Sequence, residues 1–185
     1  MKSFNNIVTE GLSGKILQLV FRQRGGKTIV SHRPEKREHI ASAAQAMVRS
    51  SFKAAVQYAK AAMTDAATRL AYLAKAEKGQ TAFNVAVADF FHAPEIILID
   101  TGQYTGSSGS RILAAVTDDF KVQSVTVRIK DAGGQLIETG NAVALADGLH
   151  WQYDATVLNG NSTGSIISIT AKDMPGHSVT KEQAA

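Results

Sequence analysis

The stretch FRQRGGKTIV, residues 21–30, ends in Gly-Gly-Lys-Thr, the letters that close a phosphate-binding loop. Such a loop needs Gly-x-x-x-x-Gly-Lys-Ser/Thr, because its first glycine lets the backbone curl until several N–H groups face the phosphates. Counting back from Gly26-Lys27-Thr28, that glycine belongs at position 21, which is Phe21, and Ile29, Val30 and Pro34 continue as extended chain, with no helix. Two glycines between runs rich in Val, Ile, Phe and Thr instead predict a two-residue hairpin turn with positive φ. The register opposes Arg24 to Lys27, Arg22 to Ile29, Phe21 to Val30 and Leu19 to His32. That sets Leu17, Leu19, Phe21 and Val30 on one face and Arg22, Arg24 and Lys27 on the other. The chemistry on offer is a charged surface and no nucleotide cradle.

Further cations follow. Arg33, Lys36 and Arg37 come directly after the hairpin, and Arg49, Lys53 and Lys60 share a helical face beside an apolar stripe. Together they form a candidate track for a nucleic-acid backbone, each neutralised phosphate adding about −0.9 to the log–log salt slope. The plainer reading is that edge strands carry Lys and Arg to block sheet-to-sheet pairing and helices need a solvated face. Glu35 and Glu38 interrupt the run, and interleaved aromatics are sparse. Asp118 and Asp119 in one loop and Asp173 in another offer oxygen ligands for Ca²⁺ if a sandwich brings them together, against the commoner role of loop aspartates in Asx-turns. His32, His39, His92, His150 and His177 are scattered without His-x-x-x-His spacing, which points to surface and capping roles. GLSG and GSSG fall one residue short of a Gly-x-Ser-x-Gly elbow and lie in no strand-to-helix setting. These residues imply no catalytic set, no cofactor and no resident metal.

The 185 residues suffice for one core or two small ones. A 44% hydrophobic and 19% charged composition is neither that of a disordered chain nor that of a membrane span, and no run approaches the roughly 18 apolar residues of a spanning helix. The N-terminal MKSFNNIVTEGLSGK has no continuous apolar core, so no signal peptide is expected. With no cysteine, disulfides and thiolate metal sites are excluded, and a cytoplasmic setting is the expectation. The +4 net charge is uneven: +6 over residues 1–50, +1 over 51–95 and −3 over 96–185. Basic character is therefore local to the N-terminal arm.

The elements that must carry these residues fall into three segments. Residues 1–34 form the hairpin, whose apolar face is expected to pack on the helices. HRPEKREH, 32–39, is a charged connector. Residues 40–92 predict three short helices: Val48, Phe52, Ala55, Val56, Ala59 and Met63 form one stripe, Ala66, Leu70, Leu73 and Ala74 another, and Phe83, Ala86, Val87 and Phe90 a third. Asp65 or Thr64 can cap the second and Thr81 the third, with Pro94 closing the last. From Ile96 the period falls to two. IILID, RILAAVT, KVQSVTVRI, QLIET, HWQYDATV and SIISITA predict six or seven strands with turns between, the pattern of a β-sandwich, with Trp151, Tyr153, Ala155 and Val157 on its inner face. The expected class is α+β in two domains: residues 1–93, hairpin plus three-helix bundle, and residues 94–185, sandwich.

DDFKVQSVTVRIKDAGGQLIETG, WQYDAT and ISITAKDMPGHSV resemble bacterial immunoglobulin-like modules, including an Asp-x-x-Gly turn at Asp173-Met174-Pro175-Gly176. That likeness implies a sandwich and is silent on activity. The whole chain, through GLSGKI, LVFRQRGGKTIVS, FKAAVQYAKA and FNVAVADF, is similar to an uncharacterised bacterial family of the same domain order. Its helical middle, with Phe52, Tyr58, Leu70, Tyr72, Leu73 and Phe83, is similar to HMG-box DNA-binding domains, though without their tryptophan and dense lysines. The expectation is a non-enzymatic structural or interaction protein with a protein partner. The alternative is nucleic-acid binding through Arg22, Arg24, Lys27, Arg33, Lys36, Arg37, Arg49 and Lys53.

Overall fold

A computed structural model describes residues 2–3, 10–35 and 41–185. The fold is α+β, with three helices and three antiparallel sheets. The chain divides into two compact units, residues 1–50 and 51–185. The division falls inside the first helix, whereas the sequence placed it at Pro94.

The first unit holds β1 (Lys2–Ser3), β2 (Gly14–Ile16), β3 (Leu19–Arg24) and β4 (Lys27–His32), ordered β1-β4-β3-β2. Gly25 and Gly26 have φ of 57° and 75°, the pair of left-handed residues a tight hairpin turn requires. The resulting register is the one the two glycines dictate: Arg24↔Lys27, Arg22↔Ile29, Phe21↔Val30 and Leu19↔His32. Phe21 and Val20 are buried. Thr28 is buried too, and its hydroxyl accepts from Gln23 Nε2 at 2.7 Å, so the residue in the P-loop threonine position serves the sheet. Leu17 leaves the expected apolar face. It sits in the turn between β2 and β3 at φ 50° and is 90% exposed, because a second hairpin starts there that the glycine count did not reveal.

α1 (Ala43–Ala62) crosses the division between the units; α2 (Ala66–Lys75) and α3 (Ala82–Asp89) lie in the second. Asp65 caps α2 by accepting the Thr68 N–H at 2.8 Å, and Thr81 caps α3 by accepting that of Asn84. Only part of the α1 stripe is covered: Ala55 and Ala59 are buried and Phe52 is exposed. On α2 the inward residue is Tyr72, while Leu70 and Leu73 face solvent. Two positions along a helix turn the side chain about 200°, so an inward Tyr72 forces Leu70 outward.

Eight strands complete the second unit: β5 (Glu95–Asp100), β6 (Arg111–Thr117), β7 (Val122–Lys130), β8 (Leu136–Asn141), β9 (Val143–Ala144), β10 (His150–Asp154), β11 (Ile166–Asp173) and β12 (Ser178–Ala184). They form two four-stranded sheets, β5-β6-β10-β9 and β12-β11-β7-β8. One core joins them, with Ile96, Ile112 and Val116 from the first sheet and Val125, Val127, Ile167 and Ile169 from the second. Lys181 reaches from β12 to β5, donating to the Ile96 and Ile97 carbonyls at 3.2 and 3.1 Å. Tyr153 and Ala155 enter the core as the alternation predicts, Trp151 is half-buried and Val157 is exposed, since β10 ends at Asp154.

The helices share their core with the sandwich. Ala59, Tyr72, Ala82 and Ala86 pack with Phe120, which precedes β7, and the Tyr72 and Phe120 rings stack with centroids 3.9 Å apart. α3 ends at Asp89, ahead of Pro94, and the packing of the helices continues beyond it to Phe120.

Candidate functional site

Two groups of polar side chains stand out, one closed and one open. The closed one begins on α1 with Tyr58, whose hydroxyl lies 2.6 Å from that of Tyr72 on α2. Tyr72 donates to Asp89 Oδ2, also at 2.6 Å, and Asp89 is the last residue of α3. A hydroxyl has one hydrogen, and Tyr72 gives its own to Asp89, so Tyr58 is the donor to Tyr72. Tyr72 is fully buried and Asp89 is 1% exposed. Among the described residues Asp89 Oδ1 has no hydrogen-bond partner, and neither does the buried Oδ1 of Asp118.

The electrostatics follow from that burial. Loss of water pushes the Asp89 carboxyl up to about 6; Tyr72's hydrogen bond opposes the shift, and the negative charges of Asp118, Asp173 and Asp119 add to it. Burial raises Tyr72 far above its ordinary value, helped by its bond to Asp89, and burial raises Tyr58 as well. His92 Nδ1 lies 2.7 Å from Asp119 Oδ2, bridging the end of α3 to the loop before β7. The His177 ring meets Phe90 edge-on at 5.4 Å. With Tyr72 and Asp89 shut from solvent, no substrate atom reaches them. Chemically this is a fastener between three helices and the sandwich.

The sequence-predicted calcium ligands do not form a metal set. Asp173 Oδ1 accepts the N–H groups of Gly176 and His177 at 2.7 and 2.6 Å, and its Oδ2 lies 2.7 Å from His177 Nδ1. Asp118 Oδ2 accepts the Lys121 N–H at 2.8 Å. Both are turn-forming carboxylates, and among the described residues no three acidic, His or Cys side chains are placed to hold one ion. His150 pairs with Asp147 at 2.6 Å, and two backbone N–H groups from His150 and Leu149 hold that carboxyl down to about 2.

The buried carboxylate of Glu138 was missed by the sequence reading. Glu138 Oε2 accepts from Tyr153 Oη, Thr156 N and Oγ1, and Val157 N, at 2.8 to 3.3 Å. Burial, then the charge of Glu138, pushes the Tyr153 phenol up to about 12. The loop 101–110 is also pinned: Tyr104 is buried and accepts from Asn159 Nδ2 at 3.1 Å.

The open group is the basic face. Arg22 and Arg24 on β3 and Lys27 on β4 are exposed, and by register they share one side of the sheet. Arg33 is exposed just beyond β4, and its N–H donates to the Gln18 carbonyl at 2.7 Å. Lys36 and Arg37, with His39, lie outside the described residues. Arg49 and Lys53 are exposed on α1, on either side of the division between units, so the structure does not bring all eight cations into one described patch. Among the described residues none of these cations has a carboxylate within 4.0 Å.

No family model and no curated protein matches the chain. Among solved structures it is similar to CopC from Methylosinus trichosporium OB3b, at 18% identity and TM-score 0.36, over 48% of this chain and 87% of that one. It is also similar to an engineered protein at 22% identity and TM-score 0.32, over 60% of this chain and 30% of that one. Likenesses of this size carry no argument about binding or activity. Among the described residues, no helix is long and apolar enough to cross a membrane.

Proposed function

We propose that this chain is a non-enzymatic interaction protein. In this reading the sandwich is an immunoglobulin-like module that serves as a rigid platform, and a protein partner docks on the helices. The observation that carries the reading is the exposure of large apolar side chains on the helices: Phe52 is 54% exposed, Leu70 60% and Leu73 53%. Single exposed apolar side chains are ordinary, but several large ones on two consecutive helices mark an interaction surface. The order of hairpin, helices and sandwich supports membership in the uncharacterised bacterial family whose motifs the chain carries.

The test is affinity capture from the protein's own cells with the full chain and with a Phe52→Glu, Leu70→Glu, Leu73→Glu variant. The expected result is a specific partner lost by the variant while its melting temperature stays at the wild-type value. A variant that melts much lower, or that still captures the same partner, overturns the reading.

A second reading, nucleic-acid binding, is favoured by one observation: Arg22, Arg24 and Lys27 stand exposed on a single sheet face, and among the described residues they have no acidic partner. Electrophoretic mobility at about 50 mM and about 200 mM salt separates the two, since phosphate contacts weaken steeply over that range. No retardation at the lower salt removes this reading.

A further inference from the structure

The last turn of α2 and the sandwich flank a half-open cavity of about 450 Å³ that adjoins the closed group of side chains through Asp118 and Phe120. Its apolar wall is Trp151, Phe120 and Val116; its polar rim is Lys75, Lys121 and Gln123. Trp151 is half-buried and packs on the sandwich core, and Phe120 is held from behind by its stacking on Tyr72, so both rings are fixed. The volume lies within the roughly 300–1,000 Å³ of small-molecule sites, and flat apolar walls with a few polar groups are their usual make-up.

Charge narrows the ligand class. Among the described residues neither Lys75 nor Lys121 has a carboxylate within 4.0 Å. Asp118 also lines the cavity, but its Oδ2 takes the Lys121 N–H and its Oδ1 is sealed from solvent. Two ammonium groups against the single Asp118 carboxylate leave the rim net positive over the aromatic wall, which favours an anion on a flat apolar body.

We infer that this cavity binds a small aromatic carboxylate, with the ring between Trp151 and Phe120 and the carboxylate on Lys75 and Lys121. Binding there is independent of any partner surface on the exposed helix faces. Because the ligand touches both α2 and the sandwich, it fastens one to the other.

Trp151 is the only tryptophan in the chain, so its emission reads this cavity alone. The experiment titrates the full chain with phenylacetate and with neutral phenylacetamide, following tryptophan emission and ligand line width by nuclear magnetic resonance. The expected result is a saturable response to phenylacetate, at least about ten-fold weaker for the amide, as loss of charge-assisted hydrogen bonds predicts. A Lys75→Gln, Lys121→Gln variant loses a similar factor, and Lys75→Arg, Lys121→Arg recovers most of it. No saturable response in either signal, equal binding of the amide, or unchanged binding by the glutamine variant overturns the inference.

Discussion

The molecule holds two gatherings of charge that differ in sign and in solvation. On the β3–β4 hairpin Arg22, Arg24 and Lys27 stand in water, with no acidic partner among the described residues. At the joint of helices and sandwich, Asp89 and Asp173 are buried and Asp118 is half-buried, and the acids lean on hydroxyls, backbone N–H groups and imidazoles. Water solvates the first set, so its geometry is free and its charge is available to a partner. The second set has lost water, so each oxygen needs a protein donor or a proton, and that need fixes where three helices sit on the sandwich. Buried titratable groups here hold the fold, and open ones stay solvated.

The contrast breaks most sharply at Tyr72. Tyr72→Ala removes a fully buried ring stacked on Phe120 and strands Asp89, so stability is expected to fall by about 3–5 kcal/mol in urea denaturation. A loss below about 1 kcal/mol would mean the network is decorative.

Acid sharpens the same comparison. The folded-state carboxyl of Asp89 is raised to about 6, so its contribution to stability is full below the unfolded value near 3.8 and is lost as pH rises through 6. At 1.36 kcal/mol per unit, wild type should lose about 2–3 kcal/mol relative to Asp89→Asn between pH 4 and 7. Parallel stability curves for the two proteins would exclude this account of Asp89.

The surroundings of the buried Glu138 carboxylate give a smaller effect by a different route. A Cβ at Gly140 would stand 2.6 Å from the Tyr153 ring, which is anchored by its bond to Glu138. Gly140→Ala should therefore cost about 1–3 kcal/mol through overpacking, read from the melting temperature. The smallest effect belongs to the open set: Arg22→Gln, Arg24→Gln, Lys27→Gln should shift stability by no more than about 0.5 kcal/mol. If nucleic acid binds, the same variant lowers the salt slope by about 0.9 for each phosphate it no longer neutralises.

How much of this was legible depended on how local the cause was. The hairpin register follows from Gly25-Gly26 and neighbouring side chains, and the caps at Asp65 and Thr81 from residues three apart. Strand alternation located the sandwich core because the pleat alone decides which side chains face inward. The closed network was illegible for the opposite reason: Tyr58, Tyr72, Asp89 and Phe120 come together from four segments. One clue was present. A carboxylate in the last turn of α3 opposes the helix dipole, so Asp89 needed a donor from elsewhere. On α2, Leu70 and Leu73 outranked Tyr72 as inward residues by hydrophobicity alone, yet the ring that could both stack on Phe120 and reach Asp89 turned in.

The central claim is that helices and sandwich unfold as one body because they share a core through Tyr72, Phe120 and Asp89. Equilibrium urea denaturation of the full chain, followed by far-ultraviolet circular dichroism for the helices and by Trp151 emission for the sandwich, tests it most directly. Coincident curves with one midpoint are the expected result. Helical signal lost at clearly lower urea than the tryptophan transition would contradict it.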